Sequence, residues 1–316
     1  MALAGVIGRD ELRVETNSII VFDVLNAIGL ILTALALLPA LLSATVSRTS
    51  TWKALMASSM VYSSSYLLLL PIGQRSVAQP EYGVCLFQAS LVYSAPVFIT
   101  FAGWAHVLQI YLGIVLNMLA NKLWLLRINI MLLVTPVVVA TFMFAVSLIV
   151  GVKHPDTIMI DSTRRYCHIT TPLPHIITAV LVGIGTAGMM VFEVLVSVHL
   201  STHWKSLREM SGGGISVFAW FRLGRIIVFT IFPFGAFALN IVGFFDSGSM
   251  NDKWNMLLPI MPLGAAFIFG SRTDIFRAWK VSYKTDSAWN IYEEPKPIPY
   301  VCLDCGKAFE FSSGTA

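Results

Sequence analysis

Residues 129–151 read NIMLLVTPVVVATFMFAVSLIVG, 23 positions without one charged side chain. As a helix rising ~1.5 Å per residue this stretch would extend roughly 34 Å, enough to cross a hydrocarbon core of about 30 Å. It carries no amphipathic stripe that would leave one face in water. Lipid on all sides is the environment that such a segment fits.

Six more runs of the same character flank it, at about Ser18–Val46, Ala54–Ile72, Cys85–Met118, Ile176–Leu200, Ser216–Phe245 and Trp254–Ser271. The third and sixth exceed what a bilayer core needs and should tilt or protrude. The last is the shortest and contains Pro259 and Pro262. Prolines in lipid-embedded helices are survivable because neighbouring helices and hydroxyls re-satisfy the freed carbonyls. Pro96, Pro136 and Pro233 are therefore read as kinks inside spans, not as span ends. The expected fold class is an all-α membrane protein, a seven-transmembrane helix bundle over residues 18–271.

Composition agrees. Of 316 residues 56% are hydrophobic and 12% charged, about half the charge of an ordinary soluble domain. The net charge of +4 does not make a nucleic-acid partner of it, because the basic residues are scattered between apolar runs and form no face. The lipid bilayer is the partner they address. The first, third and fifth loops and the segment directly after the last span hold twelve Lys and Arg, against seven in the N-terminus and the remaining loops. This bias predicts the N-terminus outside and the C-terminus cytoplasmic. Trp52, Trp124, Trp204 and Trp279 then fall at inner interfaces and Trp254 at an outer one. Residues 1–17 carry charges and no apolar core of leader length, so the first span is expected to act as an uncleaved anchor behind a short extracellular N-terminus.

Cys85 opens the third run and Cys167 lies in the loop between the fourth and fifth, both on the expected oxidising side. A bridge between them would staple that loop over the bundle; the alternative is two unpaired thiols that happen to lie outside.

Ionisable residues within spans are expensive and rank as candidates for function. His106, in the third run, fits a neutral hydrogen-bonding group between helices better than a ligand or proton relay. Glu193 lies seven residues from the inner end of the fifth run, and Arg222 and Arg225 enter the sixth by a similar distance from the same side. One carboxylate could meet either guanidinium, forming a cytoplasmic latch that a signal opens. The competing reading has both arginines snorkelling to the headgroups and Glu193 bonded to a local hydroxyl. Tyr62, Tyr66, Tyr93, Phe98, His106 and Asn240 could line a pocket open to the outside, although aromatic residues in spans more often pack against other helices.

Several chemistries lack their residues. The last run has no lysine for a retinal Schiff base. One deep histidine does not make an intramembrane zinc site, and no paired serine and histidine, phosphate loop or other catalytic set occurs. No cofactor is implied and enzymatic activity is not expected. Seven unlike spans show no inverted repeat of the transporter kind.

Beyond the last run, Arg272–Lys284 places Ile275, Phe276 and Trp279 among basic residues, as in an amphipathic helix on the inner leaflet. Residues 285–316 carry Pro295, Pro297 and Pro299 and are expected to build no core. Within them Cys302 and Cys305 have the spacing of half a zinc finger, but the two histidines that complete such a site do not follow, so no metal is assigned.

This arrangement resembles the G-protein-coupled receptors: seven spans, an outside N-terminus, a cysteine opening the third span facing another in the second outer loop, and a basic amphipathic helix after the seventh. The resemblance covers about residues 18–284. The third span ends IVLNMLANK without the acid–arginine–aromatic triplet of the rhodopsin-like class, and the seventh, LLPIMPLGAAFIFG, lacks the asparagine–proline–tyrosine signature. IFPF around Pro233 resembles the kinked sixth helix. FRLGRIIVF (221–229) and FGSRTDIFRAW (269–279) look like the seven-span receptor-like proteins of mushroom-forming fungi. The resemblance implies a plasma-membrane receptor for an extracellular ligand, coupled to a heterotrimeric G protein, with the loop Ser201–Ile215 as the partner contact. The competing expectation is a small-solute transporter or channel, or a membrane protein without a signalling role. A transporter would want polar residues along a continuous path, whereas the midplane here is apolar apart from His106.

Overall fold

The computed structural model describes residues 2–42, 48–73, 80–115, 122–161, 165–202, 224, 227–231, 234–235 and 258–270. Five long helices carry most of them: α1 (Ala2–Leu42), α2 (Ser50–Leu67), α3 (Tyr82–Val115), α4 (Lys122–Lys153) and α5 (Pro172–Thr202). Four are long and apolar enough to cross a membrane, through Ser18–Leu42, Tyr82–Gly113, Arg127–Lys153 and Pro172–His199. The chain is an integral membrane protein of the all-α class. Pro96 and Pro136 stand inside α3 and α4, as expected of prolines that do not end a span.

Helix α2, 18 residues long, is less apolar than these four because it is rich in serine. The structure gives the reason such a composition is tolerated. Ser58, Ser59, Ser63 and Ser65 are fully buried. Ser58 and Ser59 both donate to the Leu55 carbonyl at 2.8 Å, and Ser65 to the Tyr62 carbonyl at 2.7 Å. Three of the four hydroxyls are thus satisfied within the helix, while that of Ser63 makes no hydrogen bond among the described residues, and the small volume of serine lets neighbours approach.

Helix α3 is the centre of the assembly. Of its most apolar stretch 67% is buried against other elements, against 17% for α4. It touches α2, α4 and α5, while α1 lies against α2 and against the short helix Ile260–Ala265. That helix continues as a π-helical turn, Ala266–Gly270, which brings Phe269 to 5.1 Å from Phe229, ring centre to ring centre. One core cluster therefore joins Phe22, Tyr62, Val92, Ile99, Met189, Phe229, Met261 and Phe269. The outer face of α4, with Ile130, Met131, Val138 and Phe142 exposed, has the apolar character that lipid requires.

Between α4 and α5 the chain makes a 3-10 turn at Pro155–Thr157 and a two-stranded antiparallel hairpin, β1 (Ile158–Ile160) and β2 (Cys167–Ile169). Ile158 pairs with Ile169, Met159 with His168 and Ile160 with Cys167. The period of two buries Cys167 and Ile169 while leaving His168 between them half-exposed.

Candidate functional site

The hairpin closes one end of the bundle, and α3 holds it there through three side chains. Cys85, in the first turn of α3, is disulfide-bonded to Cys167, with 5.3 Å between their Cα atoms. One turn further on, the Gln88 amide oxygen accepts the Cys167 N–H at 3.0 Å, and its nitrogen donates to the Ser65 carbonyl of α2 at 3.0 Å. The Tyr93 hydroxyl donates to the Ile169 carbonyl at 3.0 Å and accepts the Ile169 N–H at 3.3 Å. Gln88 and Tyr93 thus stand in for a missing third strand, satisfying buried peptide groups of β2 that have no other strand to bond.

Arg165 and Tyr166, which lead into β2, reach toward α1 and α2. Arg165 is 2% exposed; its guanidinium donates to the Ser18 hydroxyl at 3.0 Å and lies 5.5 Å from the centre of the Phe22 ring. Such contacts are what a desolvated guanidinium requires. Next to it, Tyr166 stands edge-on to Tyr66 with ring centres 5.4 Å apart. Tyr66 also meets Phe22 at 5.7 Å and Tyr62 at 5.2 Å. Burial, with Tyr66 and Asp161 adding to it, pushes the Tyr166 phenol well above its usual range, so it stays neutral.

Of the residues that the sequence put forward as a pocket, Tyr62 and Tyr66 lie together, buried beneath the hairpin turn. Tyr93 is one of the hairpin's anchors. Phe98 lies half-buried on α3, and Asn240 is outside the described residues. His106, 8% exposed, belongs to the opposite part of the bundle. Its Nδ1 lies 3.1 Å from the Thr51 hydroxyl at the start of α2. Thr51 donates its one proton to the Gln109 amide oxygen, so the histidine is the donor in their shared bond. The Gln109 nitrogen in turn donates to Asn129 of α4 at 3.0 Å. This polar chain ties α2, α3 and α4 together, and the His106 ring also meets Phe269 edge-on at 5.7 Å.

Glu193, 7% exposed on α5, accepts a hydrogen bond from the Thr230 hydroxyl. Thr230 lies on the helical stretch 227–231. Arg222 and Arg225, the other members of the expected latch, are outside the described residues, as are residues 271–316 with Cys302 and Cys305. Among the described residues no group of three or more His, Cys, Asp or Glu could hold a metal ion.

Sequence reading overlooked three residues of this arrangement. Gln88 follows Cys85 by one helical turn within an apolar run, a position where an amide needs a partner. Arg165 and Tyr166 directly precede Cys167, so a bridge at Cys167 necessarily draws both toward the bundle. Asp23, half-buried beside Phe22 in α1, is an ionisable residue within a span that the sequence reading also left out.

His168 supplies a pH dependence. Its burial lowers its pKa below the usual 6.5, opposed in part by Asp161. A depressed histidine pKa stabilises the fold in full above pH 6.5, and that stability is lost as pH falls through the folded value. The protection factors of the hairpin amides, that is, their exchange relative to the intrinsic rate at each pH, are expected to fall on acidification below pH 6.5, and His168→Gln should remove part of that fall. An unchanged profile in the variant would rule His168 out as the cause.

Compared with known proteins, the chain matches no protein-family model and no curated protein.

Proposed function

We propose that this protein is a seven-span receptor of the plasma membrane, with its N-terminus outside and its C-terminus cytoplasmic, that senses an extracellular ligand and signals through a heterotrimeric G protein. The observation that carries the reading is the hairpin anchored by Cys85 and Cys167 over an end of the bundle where aromatic side chains converge. A bridge belongs on the oxidising side, which supports an orientation with the aromatic cluster toward the outside and Glu193 toward the cytoplasm. A ligand that binds one of two arrangements of the bundle more tightly would shift the population toward it. The segment bearing Thr230 and Phe229, which bonds Glu193 and meets the Phe269 ring, is the element we take such a shift to move.

The polar chain His106–Thr51–Gln109–Asn129 is the feature that favours the second reading, a small-solute transporter. One experiment separates the two: nucleotide exchange on a panel of Gα subunits by the purified protein, beside a flux assay in liposomes. Stimulated exchange without flux supports the receptor; flux without exchange overturns it. Within the receptor reading, Glu193→Gln removes the charge that would hold a latch with Arg222 or Arg225 but keeps an acceptor for Thr230. Basal exchange is expected to rise several-fold, and an unchanged basal rate would eliminate the latch.

A further inference from the structure

We propose that Arg165 and Tyr166 are a tethered occupant of the ligand site, so that the diffusible ligand is a small molecule or peptide presenting a cation beside an aromatic ring. The inference rests on the receptor reading for its consequence but on the hairpin's own contacts for its chemistry. Two neighbouring residues of one loop fill a cluster made by two helices: Arg165 lies over Phe22 and bonds Ser18 of α1, while Tyr166 sets its ring against Tyr66 of α2. Tyr66 is the hub, in contact with Phe22, Tyr62 and Tyr166.

The hairpin has anchors besides this pair. Cys167 and Ile169 are fixed by Cys85, Gln88 and Tyr93 of α3, while Arg165 and Tyr166 project beyond those anchors toward α1 and α2. A charged side chain almost fully buried in an aromatic surrounding is costly unless that surrounding is built for it. An aromatic face and a hydroxyl acceptor that accommodate a guanidinium will accommodate an ammonium or guanidinium from solution by the same forces. The phenol that follows defines the second requirement, an edge-on aromatic ring one residue away. A competing ligand must supply both groups, and its binding must lift the turn at 165–166.

The test uses the whole protein in lipid nanodiscs with N-acetyl-Arg-Tyr-amide as probe, and N-acetyl-Gln-Tyr-amide and N-acetyl-Arg-Ala-amide as controls. With the unaltered chain, the Arg-Tyr probe is expected to speed hydrogen exchange of the amides of Arg165 and Tyr166, and neither control should match it. In R165A/Y166A the vacated cluster is expected to bind the probe at least ten-fold more tightly, and Phe22→Ala added to that variant should abolish the gain. If the double variant does not fold, the exchange experiment on the unaltered chain decides alone. No change in exchange at 165–166 at millimolar probe overturns the proposal, as does an equal response to the uncharged control. Probe binding that leaves Gα exchange unstimulated and unsuppressed would sustain the tethered pair and count against the receptor reading, so the two fail separately.

Discussion

Cys85→Ser is expected to lower stability by about 2–4 kcal/mol, the range for loss of a native disulfide closing a long loop. The bridge spans 82 residues of sequence, for which loop entropy alone would give about 4.5 kcal/mol in a fully unfolded chain. Lipid keeps α3 and α4 helical in the reduced state, which leaves fewer conformations to exclude and places the expected value below that ceiling. Gln88 and Tyr93 continue to bond β2, so the hairpin should remain docked at neutral pH while exchanging faster. Thermal melting in nanodiscs and hydrogen exchange over residues 158–169 are the measurements. A Cys85→Ser protein that melts with the parent, with unaltered exchange at the hairpin, would mean that the bridge contributes nothing to holding the loop. Adding Gln88→Leu strips partners from the buried Cys167 N–H and Ser65 carbonyl, at about 1–3 kcal/mol for each group left unsatisfied. The pair of changes is expected to release the hairpin altogether.

Gly188→Val is expected to have an effect of comparable size by a different route. A Cβ at Gly188 would lie 2.7 Å from Cε2 and 2.9 Å from Nε1 of the Trp104 ring. That ring is not a flexible chain end; it is set edge-on to Phe101 with centres 5.5 Å apart. At Gly185, one turn earlier on α5, a Cβ would stand 2.8 Å from Cγ2 of Thr100, a β-branched side chain with little freedom about its first torsion. Both glycines therefore set how closely α5 approaches α3, and valine forces the helices apart at about 1–3 kcal/mol or more. Gly83→Ala in α3 is the matched control, because nothing lies within 4 Å of its Cβ position; it should be neutral or slightly stabilising. Equal melting points for Gly188→Val and Gly83→Ala would show that α3 and α5 do not depend on that close approach.

Hydrophobic run length carried most of the helical architecture, because in lipid a long apolar segment has few alternatives to a helix. The run read as Cys85–Met118 corresponds to α3, Tyr82–Val115, and Asn129–Gly151 lies inside α4, Lys122–Lys153. What run length does not encode is which face looks inward. The serines of α2 lowered its apolarity, yet they are buried, so composition alone understates how enclosed that helix is. The hairpin escaped notice because its strands are three residues each and the outer edge of β2 hydrogen-bonds to Gln88 and Tyr93, more than seventy residues earlier in the chain. Depth arithmetic set Glu193 level with the next apolar run, and Thr230 of that run is the residue that bonds it. It could not distinguish a threonine hydroxyl from a guanidinium as the nearer partner, since Thr230 and Arg225 differ by little more than one turn. The loop stapled over the bundle was legible from Cys85 and Cys167; that its Tyr166 meets Tyr66, one of the two tyrosines offered as lining a pocket, depends on a geometry no spacing rule supplies.

The central position of α3 bears on how the chain is made. Synthesis delivers α3 to the bilayer after α1 and α2 but before α4, the hairpin and α5, so most of the surface that finally surrounds it does not yet exist. During that interval the Gln88 amide oxygen lacks the peptide that later bonds it, and the surface around Thr100 that closes on Gly185 still faces lipid or a neighbouring protein of the insertion machinery. Assembly must therefore finish from the C-terminal side, with the arrival of β2 and α5 converting a polar, provisional third helix into the innermost one.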